Sequence, residues 1–378
     1  MIISNKICDL KASLFELAFF LHFHDKFSGN NALIVQITYI FIICKKLKIC
    51  QVFDKENKMA EEKFYVLRQN QQFSDNLFSC GCKKPIESAD KNIRYITSDN
   101  SDNPEFILRL TKTEQLKPSN IMFLIMLLSQ LSERGIDQYY TQAFSLSFKD
   151  YILLREENPE KQQKKIEAKQ FNKVRGKIKE DLNTLFNMAI ALKYYDKSLD
   201  ENMVFKFRII SSYGIKNNNL TVNFTPEFLN YYQSIKYVMY LPKDFFKIDV
   251  RYNPNSFLMG VKLVSHYNIN NNKLNQRNKN ILGVKTLLKY CPKIPKYDDE
   301  FKSNGGLNQR IIQPFVRDLD KLNTLNIIDW YFLDENNNVV DKNSIKNYID
   351  FIKLKVRFDW KVGYEPPKSK KITNLLCE

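Results

Sequence analysis

Side chains that do covalent chemistry are scarce in this sequence. It holds three His, and two of them, His22 and His24, flank Phe23 in a His-hydrophobic-His spacing that can hold a divalent metal beside a tyrosine nucleophile for strand cleavage. Tyr139 and Tyr140 would serve as that nucleophile only if the metal site exists. The pair sits between "FELAFFL" and "DKFSGN" with no sheet context, so two histidines in an apolar helix are the favoured account. His266 stands alone on an expected helix, at its surface or packed. Lys177 follows Gly176, but "RGKIK" lacks the upstream glycine and the Ser or Thr of a phosphate-cradling loop, and no dinucleotide fingerprint is present. The seven Cys show no paired CxxC spacing, and Cys80 and Cys82 have no His or Cys cluster nearby to complete a zinc site. An odd count of unpatterned thiols fits a reducing cytoplasm. The expectation is a protein without catalysis, metal or cofactor.

Non-covalent recognition is better provided for. The stretch 161–179 carries eight Lys or Arg against the single Glu167. Projected as a helix, Phe171, Val174, Ile178, Leu182 and Leu185 share one face, while Lys165, Lys169, Lys173, Lys177 and Lys179 fall on the opposite arc. With Arg175, this density suits neutralisation of phosphates better than a merely solvated face. A second helix offers forked side chains: Arg310, Gln313, Arg317 and Lys321 form a stripe beside Gln309, away from Ile311, Phe315, Leu319 and Leu322. Arg and Gln can pair bidentately with guanine or adenine edges, whereas Lys mostly finds phosphates. Pro314 must either kink this helix or mark its first turn, and the second case would move Arg310 and Gln313 off the stripe. Asp318 and Asp320 keep an ordinary amphipathic helix as the alternative.

The elements that would carry these faces are readable from periodicity. At 378 residues the chain is long enough for two domains. Its net charge of +16, from 58 Lys plus Arg against 42 Asp plus Glu, points to a polyanionic partner or an anionic surface, although the abundance of Lys, Asn, Ile, Tyr and Phe also fits AT-rich codons. Residues 1–58 form an apolar leader or arm. Its run Ala32–Cys44 is too short for a membrane span and lacks a signal-peptide cleavage pattern, so a membrane anchor is not favoured: either Met59 is the natural start or the segment is a disordered or loosely attached arm.

Beyond Lys117 a buried helix is expected, opened by Pro118 and ended by Gly135, followed by a strand at Phe144, Leu146 and Phe148, a helical "KDYILLRE", and a long helix from about 160 to 194. Phe205, Phe207 and Ile209 then alternate with polar residues, as do Leu220, Val222 and Phe224, predicting a hairpin whose nine-residue basic and polar tip, "SSYGIKNNN", includes Lys216. Three helices followed by such a hairpin predict a winged helix, a relative of the helix-turn-helix.

The second half repeats that order. A helix opens at Pro254 with Asn253 as cap, an Asn and Lys loop covers 268–280, "ILGVKTLLKYC" forms the next helix, and another runs from 307 to about 326. The strand-like "IIDWYF" and the alternation from Ile352 to Trp360 supply a second wing, with Lys353, Lys355 and Arg357 on its outer face. At one constant offset Val174 meets Ile311, Ile178 meets Phe315, Asp181-Leu182 meets Asp318-Leu319 and Leu185 meets Leu322, which suggests a duplicated unit. The expected class is α+β, mostly helical, with two tandem winged-helix domains over 59–240 and 241–360 and a basic tail over 361–378.

The segments "LTVNFTPEFLNYY" and "YVMYLPKDFFKIDVRYNPNSFLMGVKLVSHY" resemble the junction between the two winged helices of iteron-type plasmid replication initiators. "ILGVKTLLKYCPKIPKYDDE" with "QRIIQPFVRDLDKLNTLNIIDWYF" is similar to their second winged helix, and the resemblance spans about residues 60–360. It implies a cytoplasmic protein that binds repeated sites in double-stranded DNA at an origin, promotes opening of the adjacent AT-rich duplex, recruits a host replicative helicase and forms homodimers. The polar insert at 268–280 and the apolar leader depart from the pattern. The rival readings are a rolling-circle replication nickase using His22 and His24, a winged-helix transcription regulator, and a winged-helix interaction module.

Overall fold

The computed structural model describes the chain between Lys63 and Pro367, apart from 70–75, 80–84, 98–105, 112–114, 134–143, 156–167, 197–200, 272–277, 298–305 and a few single positions. The leader, His22, His24, Cys80, Cys82, Tyr139, Tyr140, Lys165 and residues 368–378 of the tail lie outside the described residues.

The described elements run in the order β1 (Phe64–Gln69), β2 (Ile86–Glu87), β3 (Ile93–Thr97), β4 (Phe106–Thr111), α1 (Pro118–Glu133), β5 (Phe144–Ser147), α2 (Phe148–Leu154) and α3 (Ala168–Asn187). Then follow β6 (Ala189–Asp196), β7 (Glu201–Arg208), β8 (Ile210–Lys216), β9 (Asn219–Phe224), α4 (Pro226–Ser234) and β10 (Tyr237–Pro242). The second half holds α5 (Pro254–Asn271), β11 (Ile281–Gly283), α6 (Val284–Leu288), a π turn (Asn308–Ile312) leading into α7 (Gln313–Thr324), β12 (Ile328–Leu333), β13 (Val339–Val340), α8 (Tyr348–Lys353) and β14 (Lys355–Trp360). The fold is of mixed α+β class.

Local chemistry accounts for many of these boundaries. Pro118, Pro226 and Pro254 each open a helix, where a missing N–H costs nothing. Ser147 ends β5 and caps α2, its hydroxyl accepting from Lys149 N at 3.1 Å. The helix α1 is apolar on almost every side and buried throughout from Ile121 to Leu128.

Between the third helix and the hairpin the structure departs from expectation. The long helix ends at Asn187, because Ala189–Asp196 pairs as a strand between β4 and β7 and sends Ile190 and Leu192 inward. Phe205–Arg208 pairs with β6 and not with 220–224. The expected nine-residue tip is itself mostly strand β8, paired with β9 around Asn217 and Asn218. Both asparagines adopt positive φ, 49° and 60°, the backbone a tight two-residue hairpin turn requires.

Boundaries in the second half also shift, and α5 runs on to Asn271, into the loop expected from residue 268. "ILG" is strand β11, so the helix there is only Val284–Leu288. Residues 348–353 are helix α8, because Asn347 caps it by accepting from Asp350 N at 2.8 Å, and the last strand starts at Lys355.

Four sheets result. The strand β1 pairs antiparallel with β10, and the buried Arg68 secures the end of α4 by donating to the carbonyls of Gln233 (2.7 Å) and Ile235 (3.0 Å). A five-stranded sheet has the order β2-β3-β4-β6-β7, a three-stranded sheet the order β5-β9-β8, and a four-stranded sheet the order β11-β14-β12-β13.

The last two sheets are built alike. In each, a strand runs directly into a short helix, a longer helix follows, and two later strands (β8 and β9, after the intervening β6 and β7; β12 and β14, with β13 between them) return so that the last lies between the first and the other. The paired residues of the long helices share their burial: Ile178 and Phe315, Leu182 and Leu319, and Leu185 and Leu322 are all fully buried.

The likeness between the halves extends to a buried polar latch. Asp181 accepts from Ser119 Oγ (3.0 Å) and Asn120 Nδ2 (2.8 Å) at the start of α1. Asp318 accepts from Asn255 Nδ2 (2.7 Å) and Ser256 Oγ (3.1 Å) at the start of α5. Each aspartate thus ties the long helix of its half to the N-terminus of the first helix, where the helix dipole favours negative charge. At Gly260 α5 packs tightly against its neighbours. A Cβ there would lie 3.0 Å from the Phe245 ring and 3.3 Å from Leu322.

Candidate nucleic-acid interface

The apolar side of α3 sits on the core through Ile178, Leu182 and Leu185, which leaves a polar arc outside. Lys169, Asn172, Lys173, Gly176, Lys179, Glu180 and Asn183 are all exposed on it. The one acid of that arc, Glu180, is paired with Lys117 at 2.6 Å, and this hydrogen-bonded lysine holds its carboxyl below the usual range. Lys169, Lys173 and Lys179 therefore stand on the outer arc that helical spacing assigns them. Gly176 lies among them in the helix interior, and a Cβ there would meet nothing within 4 Å.

Two cations of the set have inward duties. Arg175 donates from Nη2 to Asn218 Oδ1 at 3.0 Å, fastening the hairpin turn to α3 and placing the exposed Lys216 and Asn217 beside the helix. Its Nε is buried without a hydrogen-bond partner. Lys177 is half-buried near Asp181, Arg155, Asp249 and Arg251, and burial, with help from Arg155, lowers its pKa. Asp181 below it is pushed up to about 6, chiefly by burial against the opposing pull of Lys177, and its Oδ2 has no hydrogen-bond partner. On the rim, the Arg251 guanidinium bonded to Asp249 lowers that carboxyl to about 2.

The second polar face is carried by the π turn and α7. Asn308, Gln309, Arg310, Gln313 and Arg317 are exposed, whereas Lys321 is partly buried. The Pro314 question is resolved by backbone geometry. The helix runs on from Asn308 to Thr324, and the widened π turn precedes Pro314 at the start of the α-helical part, so Arg310 and Gln313 stay outside with Arg317. Asp318 is buried in its latch and its pKa is raised by that burial. Asp320 accepts from Trp330 Nε1 at 3.1 Å and lies 3.6 Å from Lys342, which ties α7 to β12. Neither acid blocks the Gln313 and Arg317 face.

The outer face of the second hairpin is less basic than its sequence suggests. Lys353 is exposed at the end of α8 and is not part of a strand. Lys355 donates to Glu335 O (3.0 Å) and Asn337 Oδ1 (3.1 Å), closing the turn after β12. Arg357 lies over the Tyr331 ring and 3.6 Å from Asp359. His266 is partly buried and bonds through Nε2 to Asn278 O at 3.0 Å. Sequence reading missed Asn218 and Asn217 as parts of the site, although adjacent asparagines flanked by alternating residues are a turn signal.

Among the described residues no group of three or more His, Cys, Asp or Glu could hold a metal ion, and no helix is long and apolar enough to cross a membrane. No protein-family model matches this chain, and no curated protein is similar to it.

Proposed function

We propose that the chain is a sequence-specific double-stranded DNA-binding protein made of two winged-helix units, acting in the cytoplasm as a replication initiator of a plasmid or mobile element. The observation that carries this reading is the repeated unit of strand, short helix, long helix and two returning strands. In both copies the outer face of the long helix is clear of the core and rich in cations or amides.

In this reading α3 approaches one major groove, with Lys169, Lys173 and Lys179 on phosphates and Lys216 and Asn217 of the hairpin tip on the flanking backbone. The helix α7 enters another groove, where Gln313 and Arg317 read base edges and Arg310 and Gln309 extend the contact. Occupying two grooves strains the duplex, and opening follows where stacking is weakest, in AT-rich DNA. Helicase recruitment and homodimer formation complete the proposed role, with no cofactor and no chemistry by the chain itself.

Selection from a random duplex library with the full chain is the direct test. The expected product is a bipartite site with half-sites about 10 base pairs apart, centre to centre, or a multiple of that. Failure to enrich any sequence refutes specific binding. Incubation with supercoiled plasmid and magnesium separates the initiator from the nickase: nicking that disappears in a His22→Ala, His24→Ala variant would favour the latter.

A further inference from the structure

One face of the five-stranded sheet plays no part in the duplex-binding scheme. Its inner face is core: Ile96, Phe106, Leu108, Ile190, Leu192 and Phe207 are buried. Strand alternation therefore turns the intervening residues outward. The register places Tyr95, Arg109, Ala189 and Arg208 in one row across four strands, and Ile107, Ala191 and Lys206 in the next. Lys193 lies beyond, opposite Val204.

All four charged side chains of this surface are cations, and no carboxylate is among its described residues. Arg109, Lys206 and Arg208 are exposed, and none makes an ion pair or side-chain hydrogen bond among the described residues. Arg109 and Arg208 flank Ala189 from the strands on either side, about 9–10 Å apart at two strand spacings. Between them lies a low floor of Ala189 and Ala191, with Ile107 next to Ala191 on the strand of Arg109, and the partly exposed Tyr95 stands on the far side of Arg109.

We propose that this face binds single-stranded nucleic acid. The cations offer separate contacts to a phosphodiester backbone, and Tyr95 and the alanine floor, on either side of Arg109, offer apolar surfaces on which bases can stack. An unpaired strand can lay its base planes on such a surface, whereas a duplex keeps them stacked inside. Self-association through the same face is opposed by charge, because a two-fold contact would bring Arg109, Lys206 and Arg208 of two copies together without an acid between them. The inference goes beyond duplex recognition and stands without it.

The test uses the full chain and a labelled oligothymidylate of about 20 nucleotides, longer than one site. Wild-type protein is expected to bind it with strong salt dependence. An Arg109→Ala, Lys206→Ala, Arg208→Ala variant should reduce the magnitude of the salt slope by about 2, at about 0.7 for each phosphate no longer neutralised. Tyr95→Leu should weaken binding between about 5-fold and about 150-fold. Both variants should melt like wild type and keep its duplex affinity, while Lys169→Ala with Lys173→Ala should alter duplex binding alone. Oligouridylate in place of oligothymidylate identifies the preferred sugar. Unchanged oligonucleotide binding by the triple variant overturns the proposal, as does an equal loss on strand and duplex. So does a dimer that becomes monomeric in the variant while strand binding persists. Loss of duplex recognition in wild type, with strand binding behaving as described, refutes the initiator reading and leaves this one standing.

Discussion

Asp181→Asn is a perturbation whose sign and size follow from the latch. In the folded protein the carboxyl titrates at about 6, against its ordinary 3.8, because burial disfavours the charge. A raised carboxyl pKa means that the fold prefers the protonated form. Its stabilising contribution is complete below the unfolded value, falls as pH rises, and is lost above the folded value. Each pH unit between those two values corresponds to about 1.4 kcal/mol, so wild type loses about 2 kcal/mol of this contribution between about pH 4.5 and pH 7.5. The asparagine keeps an oxygen for Ser119 and Asn120 and has no charge to lose. Urea unfolding of both proteins at the two pH values should therefore show the variant gaining about 2 kcal/mol on wild type as pH rises. Subtraction removes the titrating groups that are not coupled to Asp181, and it also removes the constant cost of burying an unpaired amide N–H where Oδ2 lacked a partner. A difference that does not change with pH would refute the account. A difference that shrinks would reverse its sign.

The two mid-helix glycines should respond oppositely to alanine. Gly176→Ala should raise stability by about 1 kcal/mol and yet weaken duplex binding, if the duplex backbone comes close to α3 at that point. Gly260→Ala, whose Cβ would press on Phe245, should lower the melting temperature. On the DNA side, Lys169→Ala or Lys173→Ala should weaken all duplexes alike and reduce the salt slope by about 0.9 for each phosphate no longer neutralised. Gln313→Ala or Arg317→Ala should cost about 1–3 kcal/mol on the specific duplex and spare a scrambled one, and equal losses on both would remove the base-reading role. Arg175→Ala should speed amide exchange at Asn217–Asn219 by releasing the turn, and unchanged exchange would show that the bond to Asn218 is dispensable.

Helices were legible in the sequence where periodicity and a proline agreed, as at Pro118 and Pro254. The run "AIALKYY" was not, because Ala, Leu and Lys are good helix formers and only pairing with β4 and β7 makes it a strand. The first strands escaped notice for a related reason. The strand β2 is two residues long, and β1 finds its partner only at Tyr237–Pro242, far along the chain. The lysine face of α3 needs only helical spacing, so most of it could be read in advance. Arg175 and Lys177 could not be separated from it, since Asn218, Asp249 and Arg251 reach them from elements whose positions depend on the tertiary fold. The cationic sheet face was hidden altogether, because Arg109 and Arg208 become neighbours only through Ala189.

The paired latches explain how two such different outer faces can rest on one design. Asp181 and Asp318 each bond the long helix to the start of the first helix, and three apolar positions at matching places, Ile178, Leu182 and Leu185 against Phe315, Leu319 and Leu322, seat it on the core. Those contacts set the rotation of the helix about its axis, so the residues left outside are determined by register alone. Nothing in the core constrains what they are. One half has filled those positions with Lys169, Lys173 and Lys179, point charges suited to backbone phosphates, and the other with Arg310, Gln313 and Arg317, planar groups suited to base edges. Exchanging these exterior residues between the halves should therefore leave both folded while exchanging their response to salt and to sequence. Exchanging the latch partners, Ser119-Asn120 for Asn255-Ser256, should do the reverse, because it alters how the helix is held and leaves its outer chemistry untouched.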